Sequence, residues 1–165
     1  MFRDNNILVV DFQFVIGNFG EYFIKEMSFL FPKSQKTEYF LFKSPYKYKE
    51  LGRRAVLQNH YNYKFINGLR WIDGDQKFSE LIPILDKIKN YEIIVKGLEK
   101  KTMLKKFIPE SSITILSDDV SLNDMGNNEN YCKLHENKNN SRCALNNVYK
   151  MYTYMIRNKI FDDMI

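Results

Sequence analysis

The chain has 165 residues, 44% of them hydrophobic and 15% aromatic, with 11 Tyr and 13 Phe, so it carries enough apolar material for one substantial core and is far from a disordered composition. Lys and Arg outnumber Asp and Glu by 25 to 20, a formal net charge of +5 with a pI near 9.0, and such a field draws in polyanions before other partners. No apolar run approaches the roughly 18 residues that a membrane span needs. The start "MFRDNNILVVDFQF" also puts acidic and amide side chains where a signal peptide needs a clean apolar stretch. The expectation is one intracellular domain, in the cytoplasm or nucleus, with no membrane contact. In a reducing compartment its two cysteines are thiols or metal ligands rather than a structural disulfide.

In chain order, 7–16 "ILVVDFQFVI" and 22–31 "YFIKEMSFLF" are rich in β-branched and aromatic residues and are separated by Gly-containing turn chemistry, which predicts a hairpin. A third strand, "TEYFLFK" at 37–43, makes an antiparallel meander. From Ser44 to Phe65 the character changes, with Tyr48, Leu51, Ala55 and Leu57 near helical spacing after a Ser-Pro start. A second helix over 78–90 carries Leu81, Ile84, Leu85 and Ile88 on one face, with Pro83 accommodated in its first turn. The strand "YEIIVKG" at 91–97, the helix "EKKTMLKKFI" and the strand "SSITILSD" at 111–118 then alternate, which implies parallel pairing. A long Asn- and Asp-rich loop over 119–142 leads to a closing helix with Leu145, Val148, Met151, Tyr152 and Met155 on one side. This order predicts an α/β fold with a mixed five-stranded sheet, three antiparallel strands then two parallel, flanked by helices. It is the element order of the ribonuclease H-like fold, although several α/β folds begin in this way.

Both cysteines and one of the two histidines fall within "YCKLHENKNNSRCAL". Cys132, His135 and Cys143 form C-x2-H-x7-C, which lets two ligands share one turn while the third returns from the start of the last helix, as tetrahedral zinc requires. The alternative is two unrelated thiols beside a surface histidine. A fourth ligand is needed, and Glu26 is the candidate. Strict alternation in the second strand sets Tyr22, Ile24, Glu26 and Ser28 on one face and Phe23, Lys25, Met27 and Phe29 on the other, leaving one acid mid-strand among apolar neighbours. Its other reading is an edge-strand carboxylate facing water.

The motif "FIKEMSF" on a second strand, with "CKLH" and "RCAL" before a terminal helix, resembles the Maelstrom domain, a ribonuclease H-like domain of the piRNA pathway. The resemblance spans most of the chain in element order and rests on about four residues in its motif, with a His-to-Cys spacing slightly longer than usual. It implies that Glu26, Cys132, His135 and Cys143 hold a zinc ion. Four protein ligands leave no open position for water, so the ion would be structural, pinning the long loop and last helix to the sheet. "VVDFQF", "KSPYKYKELGRR", "LRWIDGD" and "VKGLEKK" are also similar to arthropod open reading frames of mobile elements or viruses.

The related DEDD-type exonucleases hold two metal ions about 4 Å apart with four carboxylates. Asp11 matches the first. Gln13 stands in place of the Glu, Lys101 lies near the second Asp and Asn147 replaces the last, with Arg142 at the His. Neutral or positive groups at three of four positions predict no two-metal hydrolysis, and a structural role for Asp11, paired to Lys101 or Arg142. The Maelstrom resemblance leaves room for weak metal-independent RNA cleavage. No G-x-S-x-G elbow or Gly-rich phosphate loop is present, and His60 fits a helix surface.

"YKYKELGRR" and "NHYNYKFINGLRW" interleave Lys or Arg with aromatics, a mix that suits either core packing with extended lysines or a grip on phosphates with stacking of unpaired bases. Lys49, Arg53, Arg54 and Arg70 are the candidate single-stranded RNA contacts. Two functions follow as expectations: a zinc-stabilised RNA-binding domain in small-RNA silencing of transposons or its counter-defence, with silencing-pathway proteins as partners, or a catalytically dead scaffold that contacts another protein.

Overall fold

The computed structural model describes residues 6–138 and 141–160. Three antiparallel strands, β1 (Ile7–Ile16), β2 (Tyr22–Phe31) and β3 (Lys36–Leu41), are followed by helix α1 (Arg53–Phe65), α2 (Leu81–Ile88), β4 (Glu92–Val95), α3 (Leu98–Phe107), β5 (Ser112–Ile115) and α4 (Ala144–Arg157). The five strands form one mixed sheet in the order β3-β2-β1-β4-β5, with β4 parallel to β1 and β5 parallel to β4. The α/β architecture and the antiparallel-then-parallel sheet are as the residue pattern predicts.

The central strand is apolar along almost its whole length because both of its faces are covered. Leu8, Val10 and Phe12 pack with Leu81, Leu85 and Ile88 of α2 and Leu104 of α3, while Ile7 and Val9 pack with Val148, Met151 and Met155 of α4. Each buried side chain of this size contributes about 2 kcal/mol. The face under α4 is therefore the one on which a polar group of β1 or β2 can meet the last helix and the loop before it.

Strict alternation fails in β2. The register passes from Gln13 opposite Glu26 to Phe14 opposite Ile24, so Lys25 is an extra, bulged residue. Ile24 consequently packs with Met27 and Phe29 over α2 and α3, not on the face of Glu26, while Phe23 turns towards Trp71 and Leu134. Lys25 is fully buried, its ammonium donating to the Trp71 carbonyl (2.7 Å) and the Ser44 hydroxyl (2.9 Å). Burial, opposed by the charge of Asp73, pulls its pKa down to about 8.

Two further boundaries differ from expectation. The third strand ends at Leu41, opposite the β2 bulge, where Phe42 N–H donates to Lys25 O (2.7 Å) while Phe42 also bridges Gln76. The helix expected from Ser44 is divided: Tyr48–Glu50 is a single 3-10 turn and α1 begins at Arg53. The hairpin residue Asn18 causes the division, its side chain accepting from Gly52 N–H (2.6 Å) and donating to Glu50 O (2.8 Å), which holds the chain extended between the two. Of the residues read as one face, Ala55 is buried, Leu51 lies outside the helix, and Tyr48 and Leu57 are exposed. Asn59 docks α1 instead, capping both backbone groups of Ile16 at 2.8 and 2.7 Å.

The second helix begins with a 3-10 turn, Phe78–Glu80, and Pro83 sits in the first turn of α2, where no N–H is missed. The loop from 119 carries one 3-10 turn at Leu122–Met125, and residues 139 and 140 within it lie outside the described residues. Among the described residues, no helix is long and apolar enough to cross a membrane.

Candidate functional site

Glu26, Cys132, His135 and Cys143 come together on the α4 face of the sheet. All four are buried, and one ligand atom from each lies within 4.8 Å of every other. The Cys132 Sγ is 2.9 Å from His135 Nδ1 and 3.4 Å from Glu26 Oε2, and Glu26 Oε2 is 3.1 Å from Nδ1. The bond lengths of tetrahedral zinc to S, N and O place its ligand atoms about 3.3–3.8 Å apart, so small adjustments bring this group to that geometry. Glu26 does not face water.

Local structure explains each placement. His135 N–H closes a tight turn onto Cys132 O (3.0 Å), which sets the two side chains side by side. Cys143 is the N-cap of α4, in extended conformation and without a side-chain cap bond, so its thiol is free to turn inward. The vacant cap is filled by Glu26, whose Oε1 accepts Ala144 N–H at 2.7 Å and places a carboxylate at the positive end of the helix.

Supporting contacts fix the ligands in orientation. His135 Nε2 lies 2.5 Å from the Asn67 carbonyl, and since a carbonyl only accepts, Nε2 carries the proton and Nδ1 faces the cluster. The Asn67 side chain is itself tied to Phe14 O (3.0 Å) and Leu69 N–H (3.1 Å), and Tyr39 O–H donates to Glu26 Oε2 at 2.7 Å. Neither Asn67 nor Tyr39 stands out in the sequence. The cross-strand register of Ser28 opposite Tyr39 is the one signal that could have found the tyrosine, since it sets Tyr39 diagonal to Glu26.

With protons alone, the charges of this buried group are strained. Burial pushes the Glu26 carboxyl upward against the bonds from His135. A bond from Cys143 drives Cys132 down to about 3 while Cys143 itself is pushed up, so the two thiols share one proton. Burial pulls on the imidazolium, but the bonds to Cys132 and Glu26 outweigh it and raise His135 to about 10. A divalent cation replaces these protons and offsets two of the three negative charges of the thiolates and the carboxylate. The donor set, two sulfurs, one nitrogen and one oxygen in a closed buried shell, fits a structural zinc ion.

One strand position away, Asp11 is also fully buried. Asn147 Nδ2 (2.9 Å) and Gln13 Nε2 (3.3 Å) donate to its Oδ2, and Lys100 Nζ lies 2.7 Å from its Oδ1 while also donating to Phe12 O. Asp11, Gln13 and Asn147 are thus brought together. The paired cation is a correction: it is Lys100 of α3, neither Lys101 nor Arg142. On a helix one residue changes the face by about 100°, and Gly97, at φ +104, sets the start of α3 so that Lys100 turns to the sheet.

Lys49, Arg53, Arg54 and Arg70 are all exposed, as is His60. Arg70 is engaged by Asp73 through Nε (3.1 Å) and Nη2 (2.9 Å). Beside them a groove of about 380 Å³ is lined by Tyr48, His60, Tyr63, Arg70 and Trp71 and by Leu57 and Ile72, which are 59% and 66% exposed. No family model matches the chain, and no curated protein matches its sequence.

Proposed function

We propose that the chain is a zinc-stabilised ribonuclease H-like domain of Maelstrom type that binds single-stranded RNA and does not hydrolyse it by a two-metal mechanism. The observation that carries this reading is the buried Glu26, Cys132, His135 and Cys143 group, in which residues 106 or more positions apart meet around one centre. Sheet order and the parallel relation of β4 and β5 to β1 support the fold assignment. The zinc ion, bound by all four residues, would fasten the 131–143 loop and the start of α4 to β2.

The state of Asp11 supports the absence of two-metal chemistry. Its carboxylate is neutralised by a lysine ammonium and held by two amides, so one negative charge remains where a pair of divalent cations needs several. RNA binding is supported by the net charge and by the exposed Lys49, Arg53, Arg54 and Arg70 beside the aromatics of the α1 groove. A role in small-RNA silencing of transposons, or in a mobile element's defence against it, follows from the Maelstrom resemblance.

The apolar character of the α1 groove, with Leu57 and Ile72 exposed along it, favours a second reading, a scaffold that seats a partner protein there. Titrating the zinc-loaded protein with a fluorescent single-stranded RNA at several salt concentrations separates the two. Binding that weakens steeply with salt supports the RNA reading, and no binding at low salt supports the scaffold.

A further inference from the structure

A second and larger depression, of about 650 Å³, opens directly above the Asp11 pocket. Gln13 and Asn147 form part of its wall, and its charged lining is Lys96, Lys100, Arg142 and Lys150 against the single carboxylate of Glu99. Three separate elements supply these cations: the β4–α3 turn and the start of α3, the residue before Cys143, and the second turn of α4. None of Lys96, Arg142 and Lys150 forms an ion pair among the described residues. Like charges brought together from distant parts of the chain repel one another, so the fold holds a field here that a bound anion would relieve.

The floor of the cleft has a particular charge state. Lys100, only 13% exposed, reaches down to Asp11 and cancels the negative charge beneath the cleft. A divalent cation resting on carboxylates attracts phosphate by bridging the two. Here the ammonium does the neutralising and the remaining cations line the cleft without ion-pair partners among the described residues, so phosphate oxygens can be held without any metal ion. Two aromatic rings, Tyr131 and the exposed Phe65 at the end of α1, line the same cleft as the cations and can stack on bases attached to such phosphates.

We propose that this cleft binds the phosphate backbone of single-stranded nucleic acid directly, through Lys96, Arg142 and Lys150, and that it is the principal phosphate contact of the domain. The inference rests on the RNA-binding reading above but locates the backbone on the opposite end of α1 from the Arg53 and Arg54 face. Its volume is that of a ligand-sized cleft, roughly 300–1,000 Å³, enough for a short stretch of one strand.

The test is fluorescence anisotropy with a 12-residue oligouridylate on the zinc-loaded protein over a salt series. Lys96→Glu/Lys150→Glu is compared with Lys77→Glu/Lys87→Glu, which makes the same charge change at exposed positions remote from the cleft. The cleft variant should bind at least tenfold more weakly than the control variant, with a salt slope lower by about 1.4, close to 0.7 for each phosphate contact of a single strand. Arg142→Glu should act in the same direction, and zinc content and circular dichroism should be unchanged in all three. Equal losses in the cleft and control variants, or no loss in either, would overturn the cleft while leaving RNA binding in place. Failure of the unmodified protein to bind the oligonucleotide at low salt would overturn both the cleft and the reading on which it rests.

Discussion

The Glu26 cluster and the Asp11 pocket are neighbours built alike and occupied differently. Gln13 of the pocket lies opposite Glu26 of the cluster in the β1–β2 register, both sites lie on the α4 face, and α4 closes both, with Ala144 N–H on Glu26 and the Asn147 amide on Asp11. In the cluster, three acids converge on one imidazole, with no lysine or arginine among them. In the pocket, one acid is surrounded by two amides and an ammonium. The difference is one of charge count: the first is short of positive charge and suits a metal ion, whereas the second has been completed by the protein itself. Burial alone therefore does not mark a metal site. What the buried acids already have as partners does.

Breaking the first region should cost most. Cys132→Ala, His135→Ala or Cys143→Ala each should release the zinc ion and lower stability by about 3–5 kcal/mol, roughly 10 °C in melting temperature, without dismantling the sheet, whose two main cores take no residue from the 131–143 segment. Metal analysis and thermal unfolding measure both effects.

Lys25, the bulged residue beside Glu26, provides a comparison that involves neither region. Its folded pKa of about 8 lies below the 10.5 of the unfolded chain, so between these values the unfolded state holds a proton that the folded state has lost. Stability should then rise with pH from about 8 to 10.5, by on the order of 3 kcal/mol, and be lost again as pH falls back through that window. In Lys25→Met that rise should vanish, as read by urea unfolding of the zinc-loaded protein at pH 7.5 and 9.5.

Glu26→Ala should be milder than loss of a thiolate, about 2 kcal/mol, with zinc retained at lower affinity, since water can take the carboxylate's place as a ligand but leaves Ala144 N–H and Tyr39 O–H without their acceptor. Asp11→Asn should cost about 1–2 kcal/mol, because the amide oxygen can still accept from Lys100 but no longer balances its charge, and should leave zinc content untouched. No Mg²⁺- or Mn²⁺-dependent exonuclease activity should be present for that change to remove, and degradation that needs both Mg²⁺ and Asp11 would contradict the reading of the pocket. The smallest effect on stability belongs to Arg53→Ala/Arg54→Ala, within about 0.5 kcal/mol of the unmodified protein, with RNA binding weakened and the salt slope lowered by up to about 0.7 per lost phosphate contact, and unaltered binding would discard α1 as an RNA face.

The two regions also differ in how far they could be read from residues alone. The cluster was legible because Cys and His are rare in this chain and lie close together, and because Glu26 interrupts an apolar strand. The meander and the later alternation of strand and helix were legible from β-branched runs and helical periodicity. What escaped depended on contacts between distant segments. The Lys25 bulge overturned the face assignments of Tyr22 to Ile24, the Asn18 clamp divided the helix expected from Ser44, and the start of α3 selected Lys100 over Lys101. Asn67 and Tyr39 are ordinary residues whose part is set only by the partner the fold brings to them.

The most direct test of the central claim is the metal content of the purified protein and two variants. One zinc ion per chain is expected in the unmodified protein and in Asp11→Asn, and none in Cys143→Ala. A zinc-to-protein ratio near zero in the unmodified protein after purification with zinc present, or a metal that leaves with Asp11→Asn and stays in Cys143→Ala, would contradict it.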